Sequence, residues 1–240
     1  MIQTTEAIVL TSKNYSESSK IIHLFSKDFG KFSAIAKGAI SPKSKFGKLL
    51  LPKNYLLITF YQKSQNKLQL ITNAEIVENF WNLHTDIDRS AYSFAIIETI
   101  YKLFEDFYEN KRVFDLIIDC YKNLNTLEIN PNVIFIQFLL KLLDFSGYSI
   151  DLGNSTGLLT SKKYYFDISN GFFSEKKIYK GIEISRDLLD KIFVIKNKNE
   201  KISTIHLTKK ELFELLTLLQ KYIKEHTDKS IFWDSLGIVL

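Results

Sequence analysis

The 240-residue sequence holds one cysteine, Cys120, which excludes an intramolecular disulfide framework and suits a reducing compartment. Its apolar, helix-patterned surroundings mark it as a buried core thiol. No stretch approaches the roughly 18 uninterrupted apolar residues of a membrane span. No charged segment leading into a long apolar run opens the chain, so a soluble, cytoplasmic protein without a membrane partner is expected. Paired metal ligands are missing too. His23, His84, His206 and His226 show no HxH or HxxxH spacing, and Gly30, Gly38 and Gly47 build neither GxxxxGK[ST] nor GxGxxG. Asp86, Asp88, Glu105, Asp106 and Glu109 would suit a metal nuclease only if they converged, and at helix ends and polar faces solvated charge is their ordinary role. With no acid, base, nucleophile or metal set in view, the chain is expected to be no enzyme and to need no cofactor.

The most informative absence is of acid. From Phe29 to Ala74 no Asp or Glu occurs, while eight lysines do: Lys31, Lys37, Lys43, Lys45, Lys48, Lys53, Lys63 and Lys67. The chain carries +5 overall, so everything outside this window sums to −3 and the basicity is local. A concentrated positive field favours a polyanion. The window is no disordered tail, because Phe32-Ser33-Ala34-Ile35-Ala36 and Leu56-Leu57-Ile58-Thr59-Phe60-Tyr61 supply the β-branched and aromatic content of a folded sheet. Tyr15, Phe46, Tyr55 and Tyr61 are candidates to stack unpaired bases beside the lysines, or else ordinary core aromatics.

Strand signals run over Glu6 to Ser12, Lys20 to Ser26, Gly30 to Ala36, Tyr55 to Gln62 and Leu68 to Glu78, which predicts a small five-stranded barrel. After Trp81 the apolar spacing turns helical, with Ile87, Ala91, Phe94, Ile97, Tyr101 and Phe104 at intervals of three and four and Asp86 as a cap. Helices are expected at Val113 to Leu124 and at Pro131 to Phe145, the latter capped by Asn130. Lys163 to Ile168 and Gly171 to Phe173 predict a small hairpin, and helices resume at Ser185 to Val194 and Lys209 to Glu225. Thr208 and Glu211 form a capping box on the last. The fold class is α+β: a barrel over 1–80, then a helical domain over 81–240 with a hairpin inserted at about 150–181.

Ala7-Ile8-Val9-Leu10, Tyr15-Ser16-Glu17-Ser18-Ser19, Gly30-Lys31, Ala36-Lys37-Gly38-Ala39 and Leu50-Leu51-Pro52 stand in the order and spacing of the N-terminal signature of the RecO family of bacterial recombination mediators. Asn73-Ala74-Glu75 and Phe145-Ser146-Gly147-Tyr148 extend the similarity into the helical part. The resemblance implies an OB-fold, binding of single- and double-stranded DNA, annealing of complementary strands, and residence at the nucleoid. It also implies contact with the acidic C-terminal tail of single-stranded DNA-binding protein, and cooperation with RecR so that RecA can load. Carried onto this chain, DNA contact falls on Lys37, Lys43, Lys45 and Lys48, with Lys13 and Lys31 as neighbours.

Many family members hold a four-cysteine zinc site in the hairpin. Near the corresponding positions, Asn154, Gly157, Ser174 and Lys177, this chain has neither cysteine nor histidine, so it resembles a zinc-less branch. Tyr164, Tyr165, Phe166, Phe172 and Phe173 are expected to hold the hairpin by packing. A partner tail needs an apolar pocket and a cation, for which Phe138, Leu142 and Lys141, with Lys111 and Arg112, are the candidates. The alternative function is an OB-fold protein that binds RNA or the ribosome.

Overall fold

A computed structural model describes residues 1–41, 43–64, 67–152, 161–197 and 200–240. Five strands, β1 (Ile2–Asn14), β2 (Lys20–Ser26), β3 (Gly30–Ala36), β4 (Tyr55–Tyr61) and β5 (Gln69–Glu78), close a barrel in the order β1-β2-β3-β5-β4. This is the expected OB-like architecture. The first strand is longer than its alternation suggested because it serves two neighbours. Residues 2–8 pair with β4 and residues 7–14 with β2, and a bulge between Val9 and Thr11 turns the corner. A short parallel pairing of Ala34 with Gln69 and Ile35 with Leu70 completes the closure.

Inward side chains such as Ala7, Val9, Leu24, Phe32, Ile58 and Phe60 fill the barrel. The opposite face of the same strands is also dry at Ile8, Leu10, Phe25 and Tyr55, which join the core of the helical part. A barrel alone would leave these wet. Phe25 meets Phe104 and Phe114 at ring distances of 5.5 and 6.4 Å, and Tyr55 stacks on Phe80 at 6.3 Å.

The helical part comprises α1 (Asn82–Thr85), α2 (Ile87–Leu103), α3 (Lys111–Asn125), α4 (Pro131–Phe145), α5 (Arg186–Asn197) and α6 (Lys209–Thr227). Asp86 accepts from the Arg89 N–H at 2.9 Å, and Thr208 with Glu211 makes the expected capping box. Asn130 does not cap α4 with its side chain. Its amide instead donates to the carbonyl of Ile205 at 3.1 Å, tying α4 to the segment before α6. The short α1 was not anticipated, since four residues carry no period; it is held by Asn82, whose backbone N–H donates to Asn125 Oδ1 at 3.0 Å.

The expected hairpin is part of a three-stranded sheet, β6 (Lys163–Asp167), β7 (Phe172–Ser174) and β8 (Ile182–Ser185), in the order β7-β6-β8. Packing holds it. Tyr164 and Phe166 are buried, and the Phe166 ring lies 4.8 Å from Phe173 and 5.3 Å from Tyr222 of α6. Phe172 is largely outside this cluster and exposed. Ser174 and Lys177 present a hydroxyl and an amine, while Asn154 and Gly157 lie outside the described residues.

Candidate nucleic-acid interface

The segment joining β3 to β4, residues 37–54, is amphipathic without being a regular element. Ala39, Phe46 and Leu50 enter the barrel core, and the N–H groups of Leu49 and Leu50 both donate to the Phe46 carbonyl, at 3.0 and 3.1 Å. Lys37, Lys43, Lys45 and Lys48 lie on the solvent side. Burying the plug therefore fixes which way the lysines face. The segment is tied down at both ends: the Ile40 N–H donates to the Ser18 carbonyl at 3.1 Å, and the Lys53 N–H donates to the Val9 carbonyl of β1 at 2.9 Å.

Register extends the basic surface along the strand ends. Asn14 pairs with Lys20 and Lys20 with Ala36, so Lys13, Lys20 and Lys37 share one rim where β1, β2 and β3 finish or begin. Lys13 is exposed as expected. Lys20 was missed, and the signal for it was present: it opens a strand directly after a polar turn, where the side chain must lie on a rim.

Two lysines of the acid-free window are occupied elsewhere. Lys31, expected near DNA, donates to the Tyr101 carbonyl at 3.1 Å and pairs with Asp106 at 3.3 Å, so it joins β3 to the end of α2. Lys53 is only 5% exposed and reaches into α1 and α2. Of the four candidate stacking aromatics, Phe46 and Tyr55 are core, while Tyr15 and Tyr61 are 61% and 48% exposed. Only the latter pair can meet a base.

The model of Recombination protein O N terminal matches residues 1–80, and that of Recombination protein O C terminal matches residues 84–233. The chain belongs to the RecO family. A DNA repair protein RecO from Caldanaerobacter subterraneus subsp. tengcongensis is 29% identical over 234 residues, covering 93% of this chain and 92% of that one. Another from Chlorobium limicola is 32% identical over 152 residues, 63% of this chain but 58% of its own length. A third, from Shouchella clausii, is 36% identical over 126 residues, 52% of this chain and 48% of its own. The barrel and the helical part thus both fall within RecO matches, and the lysine-bearing segment lies inside the N-terminal one.

The proposed tail pocket of this RecO chain does not assemble as expected. Phe138 and Leu142 are 0% and 2% exposed, because α4 is buried on every side from Val133 to Leu140 and again at Leu142 and Leu143. They have no surface to offer a peptide. Lys141 is half-buried beside them, whereas Lys111 and Arg112 are exposed at the start of α3. Lys111 lies 3.4 Å from Asp28 and 3.5 Å from Glu109. A cleft of about 560 Å³ opens next to them instead, lined by Leu103, Phe104, Tyr108, Phe145, Tyr148 and Lys229 among others.

The acids do not converge either. Asp86 caps α2, Asp106 holds Lys31 and Glu105 holds Lys229, and among the described residues no group of three potential metal ligands forms. His23 faces Ser33, whose Oγ lies 2.9 Å from Nδ1, and Tyr101, and burial pushes its pKa down. Among the described residues no helix is long and apolar enough to cross a membrane.

Proposed function

We propose that this RecO family chain is a recombination mediator that binds single- and double-stranded DNA and anneals complementary strands. With RecR, it helps RecA load onto DNA coated by single-stranded DNA-binding protein. One observation carries the DNA reading: the plug of Ala39, Phe46 and Leu50 turns Lys37, Lys43, Lys45 and Lys48 outward together, beside Lys13 and Lys20, with no acid in the segment. Each lysine that neutralises a phosphate releases condensed counterions, so affinity comes from charge and carries little sequence preference. Exposed Tyr15 on the same rim adds a face on which a base can stack.

The partner tail fits the aromatic cleft better than the α4 face. Phe104, Phe145 and Tyr148 supply apolar walls, and Lys229, now paired with Glu105, supplies a cation that a terminal carboxylate can take over. Phe145→Asp should abolish binding of a peptide ending in acidic residues and an aromatic, with DNA affinity retained.

The DNA reading is tested by replacing Lys43, Lys45 and Lys48 together with alanine, with Lys31→Ala as the control. The triple variant should lose DNA affinity at least tenfold at moderate salt and the control less than threefold. A competition between single-stranded DNA and RNA of equal sequence separates this reading from an RNA-binding one, which a strong RNA preference would favour.

A further inference from the structure

The turn from β7 to β8 carries a basic cluster that the barrel site does not use. Its residues are Glu175-Lys176-Lys177-Ile178-Tyr179-Lys180-Gly181, of which Lys176, Lys177, Tyr179 and Lys180 are exposed while Ile178 between them is half-buried. Ser174 at the end of β7 lies opposite Tyr165, and Ile182 at the start of β8 lies opposite Phe166. The turn therefore crosses from one side of β6 to the other.

Its backbone is fixed before any ligand arrives. The Lys176 N–H donates to Ser174 Oγ at 3.1 Å, and the Gly181 N–H donates to the Ile178 carbonyl at 3.0 Å, which closes residues 178–181. Lys180, third in that tight turn, has φ of +60°, the left-handed conformation that glycine or asparagine takes there at less cost. A lysine kept at such a position is strained, and strain of this kind gathers where a ligand is held.

Charge and ring share the same exposed turn. Among the described residues none of the three lysines pairs with a carboxylate. Glu175, the one acid in the turn, accepts from the buried Tyr164 hydroxyl at 3.1 Å, and Glu183 on β8 pairs with Lys163. Tyr179 is 88% exposed and joins neither apolar core; the Lys180 ammonium lies 5.5 Å from its ring centre. Such a ring adds little to folding. With lysines on either side it suits a polymer that carries both phosphates and unpaired bases. A duplex, its bases already stacked, would use the lysines and leave the ring idle.

We infer that the turn from β7 to β8 is a second contact for single-stranded DNA, in which Tyr179 stacks an unpaired base and Lys176, Lys177 and Lys180 hold the flanking phosphates. That the polymer is DNA rests on the reading above. The helical part thereby takes its own hold on the strand, in addition to that of the barrel lysines.

The test uses the full chain and a DNA oligonucleotide carrying bromodeoxyuridine. Ultraviolet crosslinking should attach the oligonucleotide to Tyr179, as located by mass spectrometry. Lys176→Ala and Lys177→Ala combined with Lys180→Gly should lower single-strand affinity at least threefold. The slope of log affinity against log salt should become shallower by about 2, at about 0.7 per phosphate contact. Because glycine suits the backbone at position 180, the thermal midpoint of that variant should stay at or above wild type, which separates lost contacts from lost fold. Tyr179→Leu should weaken single-strand binding severalfold and leave duplex binding unchanged. Unchanged affinity and slope in the triple variant, with no crosslink at Tyr179, would overturn the inference. So would equal losses on duplex and single strand in Tyr179→Leu. The triple alanine variant of Lys43, Lys45 and Lys48, run alongside, keeps the two readings apart: a loss there with none at the turn fails only this inference, and the reverse fails only the barrel reading.

Discussion

The Lys53 ammonium donates to the Leu83 carbonyl at 2.6 Å, so a lysine at the end of the lysine-bearing segment is buried against α1. It also donates to Ser90 Oγ at 2.8 Å and lies 4.4 Å from the centre of the Phe94 ring. No carboxylate is among these contacts. Its backbone takes φ of +76°, an uncommon conformation for a non-glycine residue, and its N–H donates to the Val9 carbonyl at 2.9 Å. The side chain therefore pins the end of residues 37–54 to the helical part.

Desolvation lowers the Lys53 pKa from 10.5 to about 8. Its folded value lies below its unfolded one, so between those limits the unfolded chain binds more protons and folding stability rises with pH. The gain is complete above 10.5, and it is lost as pH falls toward about 8. Denaturant unfolding should show stability climbing by up to about 1.4 kcal/mol per pH unit across that window. The neighbouring His84, its own pKa lowered by burial and by Lys53, stays neutral throughout that window and adds nothing to the climb. Lys53→Met should flatten the climb; an equal climb in that variant would assign the effect elsewhere.

Gly30 should tolerate no side chain. Its φ is +64°, and an added Cβ would lie 2.1 Å from the Tyr108 carbonyl oxygen, where the segment after α2 runs along β3. Gly30→Ala should cost about 1–3 kcal/mol from backbone strain and displacement of that segment. Thermal unfolding within a degree of wild type would contradict the contact.

Lys31 should matter to stability and hardly to DNA. Its two polar contacts, to Tyr101 and Asp106, join the barrel to α2. Lys31→Met should cost about 1 kcal/mol in unfolding experiments, since the side chain is mostly buried but Asp106 is wet. The salt dependence of DNA binding should be unaltered.

A chelator should leave the thermal unfolding of this chain unchanged. The three-stranded sheet is held by Tyr164, Phe166, Phe173 and Tyr222, which pack with no thiolate among them. A chelator-dependent drop in the midpoint would reveal a metal that these residues do not explain.

Local signals were legible wherever the residue itself dictates the backbone. Gly30 opens β3, Pro131 opens α4 and Thr208 with Glu211 opens α6, each at the expected position. The lysine-bearing segment was legible because charge of one sign, free of acid, needs no partner to be read. Contacts made across the fold were not. Lys53 and Lys31 look like Lys43 in a charge count, and what distinguishes them is Leu83, Ser90 and Asp106, dozens of residues away. Phe138 and Leu142 were misread because their neighbour Lys141 suggested a rim, whereas the polar side of α4 is the stripe of Gln137, Lys141 and Asp144 at helical spacing and both apolar residues lie off it, buried. The strand β8 escaped because Ile182–Ser185, although alternating, is only four residues long and runs directly into a helix.

The central claim is that Lys43, Lys45 and Lys48 form phosphate contacts, and the slope of log affinity against log salt measures this directly. With single-stranded DNA, each lost contact should reduce the steepness of that slope by about 0.7, so the triple alanine variant should be shallower than wild type by about 2. Lower affinity with an unchanged slope would contradict the account, because the lysines would then act on the fold and not on the phosphates.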